Sequence, residues 1–463
     1  MEFYNNFYTA VAYFYLAYML IYISYLFLTV VYGAWKLYQK SKGNRVKNEL
    51  KHDYYVPVSV LVPAHNEEVT IIDSINSLLK LDYKLYEIIV IDDGSQDNTK
   101  NLVVEAFEMH KVNHPVLRKI QTKPVKEIYE TYVNGIKLTL VSKEGGGKGD
   151  ALNMGINLSM YPYFLCIDAD SMLQRDSLEK IVQPLMEDNN IVAVGGLIHV
   201  AQCVEMKGNQ VVGYRMPTNW LVAMQVVEYD RSFLGSRILL DKINGNLIIS
   251  GAFGLFRKDV VIAAGGYDSN TLGEDMELVV KLHVYCRNNN RPYSLRYEPT
   301  AVCWSQAPGS LKDLAKQRRR WHLGLFQSMV KYWRIFANTR FGVVSVVSYM
   351  YYLLYELLSP VIEIFGIFTM ILAWLVGILN VSFMVQFLML YGVYGGLITI
   401  TIFFQRVYTH NYRITVSDAL RAILVCLLES IFFRYVLSFV RMSAFIGYKN
   451  RKKQWGSIKR EKI

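Results

Sequence analysis

The sequence predicts an α/β domain built on a doubly wound sheet, combined with helices that cross a membrane. Short apolar runs alternate with helical segments in the middle of the chain, which is typical of βαβ units. The run at residues 163–167 suits a buried strand and leads directly into two carboxylates, Asp168 and Asp170. Hydrophobic residues make up 52% of the 463 residues and cluster at both ends of the chain. The chain is therefore long enough for a catalytic domain and a membrane part.

The amino-terminal end is predicted to be a membrane anchor over residues 1–40. Residues 7–35 carry no formal charge and exceed the ~20 residues that a spanning helix needs. A signal peptide is the alternative, but this run is too long for one and no basic residue precedes it. Because basic residues follow the run, we expect its amino end to lie outside the cell and the chain to continue in the cytoplasm.

The carboxyl-terminal end is predicted to contain two spans within residues 359–406, at 361–380 and 383–404. A further apolar stretch at 419–445 carries charges at intervals, which are costly in lipid. Two spans return the chain to the cytoplasm, and the basic tail should stay there. We therefore expect residues 417–463 to form an interfacial or re-entrant helix and a cytoplasmic tail, so that three helices cross. The charged residues of this stretch are Arg421, Glu429, Arg434 and Arg441.

The formal net charge of +11 is concentrated beside the apolar ends, as in the cytoplasmic flanks of membrane proteins. No nucleic-acid recognition module accompanies these basic residues, so no nucleic-acid partner is expected. The five cysteines form no CxxC or Cys/His ligand pattern, which indicates buried thiols in a reducing compartment. Together these features favour a multi-pass protein of the plasma membrane with a cytoplasmic catalytic domain.

Acids also follow the second predicted strand. Residues 58–62 and 87–91 suit strands of a first βαβ unit, and the second ends in Asp-Asp-Gly at 92–94. Such residues are more often caps than ligands. Since the carboxyl ends of strands in a doubly wound sheet open onto one crevice, we expect these acids to neighbour Asp168 and Asp170. Carboxylates there could hold a hard divalent cation that arrives with a substrate's phosphates.

Residues 145–149 form a glycine-rich entry to a helix and contain one lysine, Lys148. Backbone N–H groups and an ammonium in such an entry could approach phosphates. The spacing is not GxxxxGK[ST], so no ATPase is predicted, and a flexible turn with a solvated lysine is the alternative. Just before it, Asn134-Gly135 lies between two apolar runs and predicts a hairpin with a type I′ turn.

Two later segments combine charge with helical spacing. Glu274 and Asp275 begin a predicted helix, where an acidic pair could serve only the helix dipole. Alternatively, Asp275 could act as a general base that takes a proton from an alcohol. A basic amphipathic helix is predicted at 311–333, and its arginines and indole suit either a bilayer surface or a diphosphate with a sugar ring. A buried strand is expected at 248–256, whose glycines would admit a ligand or another backbone.

The order of these motifs carries more information than any one of them. The chain has Asp-Asp-Gly at 92–94, Asp-Ala-Asp at 168–170, Gly-Glu-Asp at 273–275 and Gln-x-x-Arg-Trp at 317–321. In this series it resembles the membrane-integrated family 2 glycosyltransferases, which include cellulose, hyaluronan and poly-N-acetylglucosamine synthases. The resemblance covers residues 58–335. Trp455-Gly456 in the basic tail also looks like bacterial members. Gly273 departs from the usual threonine, and no appended regulatory domain is evident.

The resemblance implies a GT-A-type, Rossmann-like cytosolic catalytic domain over residues 52–310, followed by interfacial helices over 311–358. It implies that Asp275, with Glu274 beside it, deprotonates the acceptor hydroxyl. The acceptor sugar and the diphosphate would be steadied by Gln317, Arg320 and Trp321. The metal, Mg²⁺ or Mn²⁺, would be held by Asp168 and Asp170. The nucleotide-sugar would be bound by Pro63, Ala64, Glu67, Asp92, Asp93, Lys148 and Asp168.

The expected function is inverting, metal-dependent transfer from a UDP-sugar that extends a β-linked polysaccharide at the cytoplasmic membrane face, with translocation through the protein's own helices. The expected partners are the UDP-sugar, the growing polysaccharide or a glycolipid acceptor, and the lipid bilayer, and an accessory membrane protein is a further candidate. The alternatives are transfer of one sugar to a membrane lipid and a non-catalytic scaffold that binds nucleotide-sugars. A Rossmann oxidoreductase is disfavoured because no GxGxxG follows the first strand.

Overall fold

The computed structural model describes residues 2–47, 55–113, 115–207, 210–410 and 412–447. The basic tail, with Trp455 and Gly456, lies outside the described residues. The strands are β1 (Val58–Ala64), β2 (Tyr86–Asp93), β3 (His110–Val112), β4 (Val125–Val133), β5 (Ile136–Lys143), β6 (Tyr163–Ile167), β7 (Ser171–Leu173), β8 (Ile191–Val200), β9 (Val204–Lys207), β10 (Gln210–Tyr214), β11 (Phe253–Arg257) and β12 (Ser294–Ser305).

Helices alternate with these strands and then replace them in the last third of the chain. Four π-helical segments occur within the described ranges: Arg231–Ser236 joins α6 to α7, Val344–Ser348 and Tyr352–Leu357 flank α11, and Glu429–Phe433 joins α14 to α15. The helices are α1 (Glu2–Lys47), α2 (Ile71–Leu78), α3 (Thr99–Ala106), α4 (Lys148–Leu158), α5 (Ser177–Glu187), α6 (Trp220–Asp230), α7 (Arg237–Asp241), α8 (Lys258–Ala263), α9 (Glu274–Asn288), α10 (Leu311–Lys331), α11 (Tyr349–Tyr351), α12 (Ser359–Leu375), α13 (Val381–Thr409), α14 (Val416–Leu428) and α15 (Arg434–Met442).

The α/β domain is built on a ten-stranded mixed sheet in the order β3-β4-β5-β2-β1-β6-β11-β8-β12-β7. At its centre β1 runs parallel to both β2 and β6, and β2 runs parallel to β5. Strand β11 is antiparallel to both of its neighbours, β6 and β8. The parallel strands β5, β2, β1 and β6 therefore present their carboxyl ends at one edge, as the βαβ pattern predicts.

Both faces of the central strands are covered. In β1, Val60 and Val62 pack into a core beneath α2, α5 and α6, whereas Leu61 packs into a second core beneath α4, α8 and α9. All three residues are fully buried, which explains why the strand is a continuous apolar run without alternation. Ile402 and Phe403 of α13 join the first core, so this long apolar helix packs directly onto the α/β domain.

The predicted hairpin is present. Strands β4 and β5 pair antiparallel up to Val133 and Ile136, and the turn residues Asn134 and Gly135 have φ values of 53° and 81°. Two successive positive φ values define the type I′ turn that Asn-Gly favours.

The buried strand expected at 248–256 begins only at Phe253. The residues before it use their backbone N–H groups elsewhere: Gly251 N donates to Asp275 Oδ2 at 3.2 Å, and Phe253 N donates to Ser250 O at 3.1 Å. Because one N–H is bound to a side chain and the other closes a turn, neither is available to pair with a neighbouring strand. The turn brings the backbone of Gly251 to the start of α9.

Three helices are long and apolar enough to cross a membrane: Asn6–Lys40, Val381–Thr409 and Val416–Phe445. Val344–Leu357 and Ser359–Leu375 pass the same test only as a pair bent by 49°, which would make four spans among the described residues. Length and composition thus place the helix over 416–445 among the candidates, so our choice of an interfacial or re-entrant helix there stays a prediction. Lys40 near the end of α1 forms an ion pair with Glu298 of β12, which puts the basic end of α1 against the catalytic domain.

The charges that the sequence places in 419–445 have partners on neighbouring helices. Glu429 accepts two hydrogen bonds from the Arg231 guanidinium, at 2.6 and 2.7 Å. Arg434 lies 2.6 Å from Glu363 of α12, and it donates to Tyr391 of α13 at 2.8 Å. Ions in an apolar setting are tolerated when they are paired in this way.

We predict that Glu429→Gln lowers the free energy of unfolding by about 3 kcal/mol, because it leaves the Arg231 guanidinium without its counter-charge. Thermal unfolding of the detergent-solubilised protein measures the effect. Lys316→Gln is the matched control, since it breaks a solvent-exposed ion pair with Asp313 that is worth at most about 1 kcal/mol. Equal shifts of the two melting temperatures would contradict the structural role of the Glu429–Arg231 pair.

Candidate active site

Lys148 lies at the centre of the candidate site. It is the first residue of α4, and its Nζ donates to Asp168 Oδ1 at 2.5 Å and lies 3.5 Å from Glu274 Oε1. Asp168 directly follows β6, and Glu274 begins α9. Burial alone would lower the pKa of Lys148, but the carboxylates of Asp168 and Glu274 outweigh it and the pKa is raised. The ammonium therefore stays charged and joins the ends of three elements.

The acidic pair at the start of α9 faces the same point. Asp275 Oδ2 accepts the Gly251 N–H at 3.2 Å, and its Oδ1 accepts the Met276 N–H at 2.8 Å. The pKa of Glu274 is raised by burial first and by the charge of Asp275, while Lys148 and Arg320 act in the opposite direction. Arg320 of α10 is thus close enough to influence the carboxylates of α9. Residues separated by more than a hundred positions in the sequence converge here.

The indole of Trp321 lies on another side of the candidate site, and 41% of its surface is exposed. The guanidinium of Arg318 lies 4.4 Å from the Trp321 ring centre and donates to Glu228 Oε2 at 2.7 Å. Tyr229 lies 6.4 Å from the same indole, centroid to centroid. Burial raises the pKa of Tyr229 to about 12, and the charge of Asp170 is among the smaller causes, so Asp170 lies near these aromatic rings.

Arg318, Glu228 and Tyr229 were not assigned to the site from the sequence. Three consecutive arginines cannot be told apart in the sequence, and only the structure shows that Arg318 is the one that is buried and pairs with Glu228 of α6. The one available signal was helical spacing, since Arg318 and Trp321 lie three residues apart and share a face.

Gln317, one turn before Trp321, was assigned from the motif. Its Oε1 is buried and has no hydrogen-bond partner within the described part of the chain. A buried acceptor without a partner is costly, so an incoming hydroxyl would satisfy it.

The acids of β2 hold the loop that leads to Lys148. Asp93 is 1% exposed, pairs with the buried Lys143 at 2.5 Å, and accepts the N–H groups of Gly146 at 3.0 Å and Gly147 at 2.7 Å. Asp92 accepts from Ser142 Oγ at 2.8 Å. Asp93 thus organises the glycine-rich entry, and whether either carboxylate also touches a nucleotide stays a prediction.

The other predicted nucleotide residues lie beside these acids. Pro63 and Ala64 end β1 and pair with Ile91 and Asp92 of β2. Glu67 follows in the next turn and accepts from Thr70 Oγ1 at 2.9 Å. Strand β1 lies between β2 and β6, so the acids of β2 stand about 10 Å from Asp168, two strand spacings along the same edge.

The carboxylates of Asp168 and Asp170 fit a Mg²⁺ or Mn²⁺ ion whose other ligands are water and substrate phosphates. Asp168 exposes 33% of its side chain, and both aspartates lie in the three-residue connection between β6 and β7. No group of three or more His, Cys, Asp or Glu side chains that could hold a metal occurs within the described ranges. One or two carboxylates completed by water and substrate phosphates is the usual arrangement for Mg²⁺.

The structure also explains why residue 273 is glycine. A Cβ at Gly273 would lie 2.9 Å from Gly324 Cα, in the middle of α10, which is too close for any side chain. Threonine, the usual residue of the resembling synthases at this point, would therefore require α10 to move. The glycine at position 273 is therefore explained by the close packing of α10, and Glu274 and Asp275 still follow it at the start of α9.

Comparisons with known proteins identify the family and the fold. The family model described as glycosyl transferase family 2 matches residues 59–262, and that described as glycosyl transferase family group 2 matches residues 163–408, more than half of the chain. Among solved structures, the mannosyltransferase PcManGT from Pyrobaculum calidifontis, in complex with GDP-Man and Mn²⁺, superposes with a TM-score of 0.51 at 20% identity. The match covers 87% of this chain and 99% of that one, and it confirms the predicted GT-A-type fold.

Two curated relatives are poly-beta-1,6-N-acetyl-D-glucosamine synthases. That of Staphylococcus aureus (strain COL) is 30% identical over 282 residues, which cover 60% of this chain and 57% of the relative. That of Staphylococcus epidermidis is 31% identical over 283 residues, which cover 60% of this chain and 56% of the relative. The chain thus matches little more than half the length of these relatives. The family matches, the fold and the order of the motifs together show that the chain belongs to the family 2 glycosyltransferases.

Proposed function

We propose that the protein is an inverting, metal-dependent glycosyltransferase that uses a UDP-sugar to extend a β-linked polysaccharide. The observation that carries the proposal is the convergence of Asp168 and Glu274 on the Lys148 ammonium, with Asp275 beside Glu274. The charge of Arg320 also acts on Glu274. A diphosphate leaving group gains negative charge as the glycosidic bond to it breaks, and fixed cations in a partly buried site stabilise that charge.

The donor side of the site is the edge of the sheet near Lys148. Its ammonium would contact the diphosphate, and Arg320 would add a second positive charge from α10. Asp168 and Asp170 would hold Mg²⁺ or Mn²⁺ on the diphosphate, and the ion would act as a Lewis acid that neutralises the leaving UDP. The N–H groups of Gly146 and Gly147 donate to Asp93, which fixes the loop that begins α4 with Lys148 as its first residue.

The acceptor side is formed by Asp275, Gln317 and Trp321. A sugar hydroxyl is a weak nucleophile, so Asp275 would take its proton as the oxygen attacks the anomeric carbon. The new glycosidic C–O bond forms as the bond to the diphosphate breaks, and UDP leaves with the electron pair. A single displacement of this kind inverts the anomeric configuration and needs no covalent intermediate. The exposed face of Trp321 would support the sugar ring, and Gln317 Oε1 would accept one of its hydroxyls.

The donor sugar to test first is N-acetylglucosamine, because the staphylococcal relatives are poly-beta-1,6-N-acetyl-D-glucosamine synthases. A membrane location is supported by the three apolar helices. The basic residues beside the apolar ends support a cytoplasmic catalytic domain, and we propose that the polymer leaves through the helices that pack against it. An accessory membrane protein would be a further partner.

We predict that Asp275→Asn abolishes UDP release from UDP-N-acetylglucosamine in purified membranes, because the amide cannot accept the acceptor's proton. The variant should melt at the temperature of the unaltered protein. Asp259→Asn, which changes an exposed carboxylate paired with Arg257 on the surface, should keep full activity. Full UDP release by the Asp275 variant would refute the assigned role. A labelled product ladder supports polymer extension, whereas a single glycolipid spot would favour transfer of one sugar to a lipid.

We predict that chelation of divalent cations with EDTA abolishes transfer and that Mg²⁺ or Mn²⁺ restores it. Asp170→Asn should weaken the manganese-dependent binding of UDP, measured by isothermal titration calorimetry, by about tenfold, the loss expected when a group that holds a metal is altered. UDP binding without metal should not change. Equal affinity of both proteins for UDP in the presence of Mn²⁺ would argue against Asp168 and Asp170 as the metal site.

A further inference from the structure

The half of α10 beyond Trp321 is docked on the segment that leads into α9. Gly324 and Gly273 touch through their backbones: a Cβ on Gly324 would lie 2.8 Å from both Gly273 Cα and Gly273 N. Real Cβ atoms do not approach backbone so closely, so a side chain at either position would push the two helices apart. The contact fixes the distance between α10 and the start of α9 at the smallest value that two backbones allow.

The next turn of α10 fixes the register of this contact. Gln327 Oε1 accepts the N–H of Leu272 at 2.9 Å and the hydroxyl of Thr271 at 3.1 Å. A backbone donor cannot change its direction as a side chain can, so this bond resists sliding of α10 along the segment.

The following turn adds buried charge. Lys331 Nζ donates to Asp268 Oδ2 at 2.7 Å and to Glu277 Oε1 at 2.5 Å, and Glu277 also accepts from the Tyr332 hydroxyl at 2.7 Å. Glu277 is fully buried in α9, two residues after Asp275. A buried carboxylate needs its partners, so the end of α10 is bound to the helix that carries the proposed base.

Gly324, Gln327 and Lys331 are spaced three and four residues apart and form one stripe along α10, here called the docking stripe. Gln317, Arg320 and Trp321 lie one and two turns before Gly324 on the same side of the helix. The segment that the stripe contacts, 268–277, contains Glu274 and Asp275. The stripe therefore connects the acceptor end of α10 to the proposed base through a short, rigid path.

We propose that the docking stripe is the device that holds the acceptor sugar in line with Asp275, and that Gly324 and Gln327 are positioning residues for the transfer. The inference rests on the proposed function, because it assigns the acceptor to Gln317 and Trp321 and the base to Asp275.

Of the residues assigned to the donor, Arg320 moves with α10, so UDP release should fall as well, whereas Lys148, Asp168 and Asp170 belong to other elements and keep their places. Loss of the stripe should therefore let water replace the sugar hydroxyl as the nucleophile that Asp275 deprotonates. The UDP-sugar is then hydrolysed to UDP and free sugar, and UDP is released without sugar transfer.

The experiment measures two rates in the same membranes, UDP released and labelled sugar incorporated into polymer, and takes their ratio. Gln327→Leu removes the acceptor oxygen, whereas Gln327→Glu keeps it and serves as the conservative rescue. Gly324→Ala pushes the helices apart. Gly309→Ala is the matched control, since a Cβ there lies 3.6 Å from Asn219 Nδ2, an ordinary contact just before α10.

We expect Gln327→Leu and Gly324→Ala to lower the sugar incorporated per UDP released by on the order of tenfold to a hundredfold, the cost of displacing reacting groups by about 1 Å. Gln327→Glu and Gly309→Ala should keep the ratio of the unaltered protein. A variant that merely folds poorly lowers both rates together and leaves the ratio unchanged, so an unchanged ratio in Gln327→Leu and in Gly324→Ala overturns the inference. If the unaltered protein itself releases no UDP from any UDP-sugar, the proposed function fails instead.

Discussion

The site depends on one electrostatic constraint: the carboxylates of Asp168, Glu274 and Asp275 lie close together. The positive charge of Lys148, with that of Arg320, offsets their mutual repulsion. Two like charges 4 Å apart repel by about 4 kcal/mol at the effective dielectric constant of a protein surface region. Lys148 lies between Asp168 and Glu274, and Arg320 approaches the same group from α10. The sheet edge, the glycine-rich entry and the start of α9 are arranged so that these charges meet. The same cations are what a departing diphosphate requires.

The catalytic domain and the apolar helices form one packed unit. Glu228 of α6 links them, since one of its oxygens accepts from Arg318 beside the Trp321 indole and the other lies 3.9 Å from Arg441 of α15. Arg231, in the π-helical segment after α6, pairs with Glu429 in the π-helical segment after α14. A motion of the apolar helices would thus shift Arg318 and the Trp321 indole beside it. This link gives a physical route by which the proposed polymer movement would be coupled to the proposed sugar transfer.

The sequence was sufficient where the information is local. The apolar strand before Asp168, the Asn134-Gly135 turn and the acidic start of α9 were all recognised, because a continuous apolar run, turn chemistry and capping are each visible within a few residues. What it could not supply is pairing at long range. No local pattern shows that Asp93 is paired with Lys143, fifty residues later in the chain. No local pattern shows either that the Gly251 N–H donates to Asp275, so that β11 begins later than the apolar run does. The contact of Gly273 with Gly324 is likewise invisible until two helices are packed together.

The most direct measurement is the position of manganese in crystals or vitrified particles of the full chain with MnCl₂ and UDP. The convergence of charges predicts an anomalous or density peak about 2.1 to 2.2 Å from carboxylate oxygens of Asp168 and Asp170, as is usual for octahedral divalent ions. The diphosphate should lie within reach of Lys148 and on the same side as Asp275 and Trp321. A metal bound away from these carboxylates, or a diphosphate in a cleft that contains neither Lys148 nor Asp275, would contradict the assignment of a single shared site.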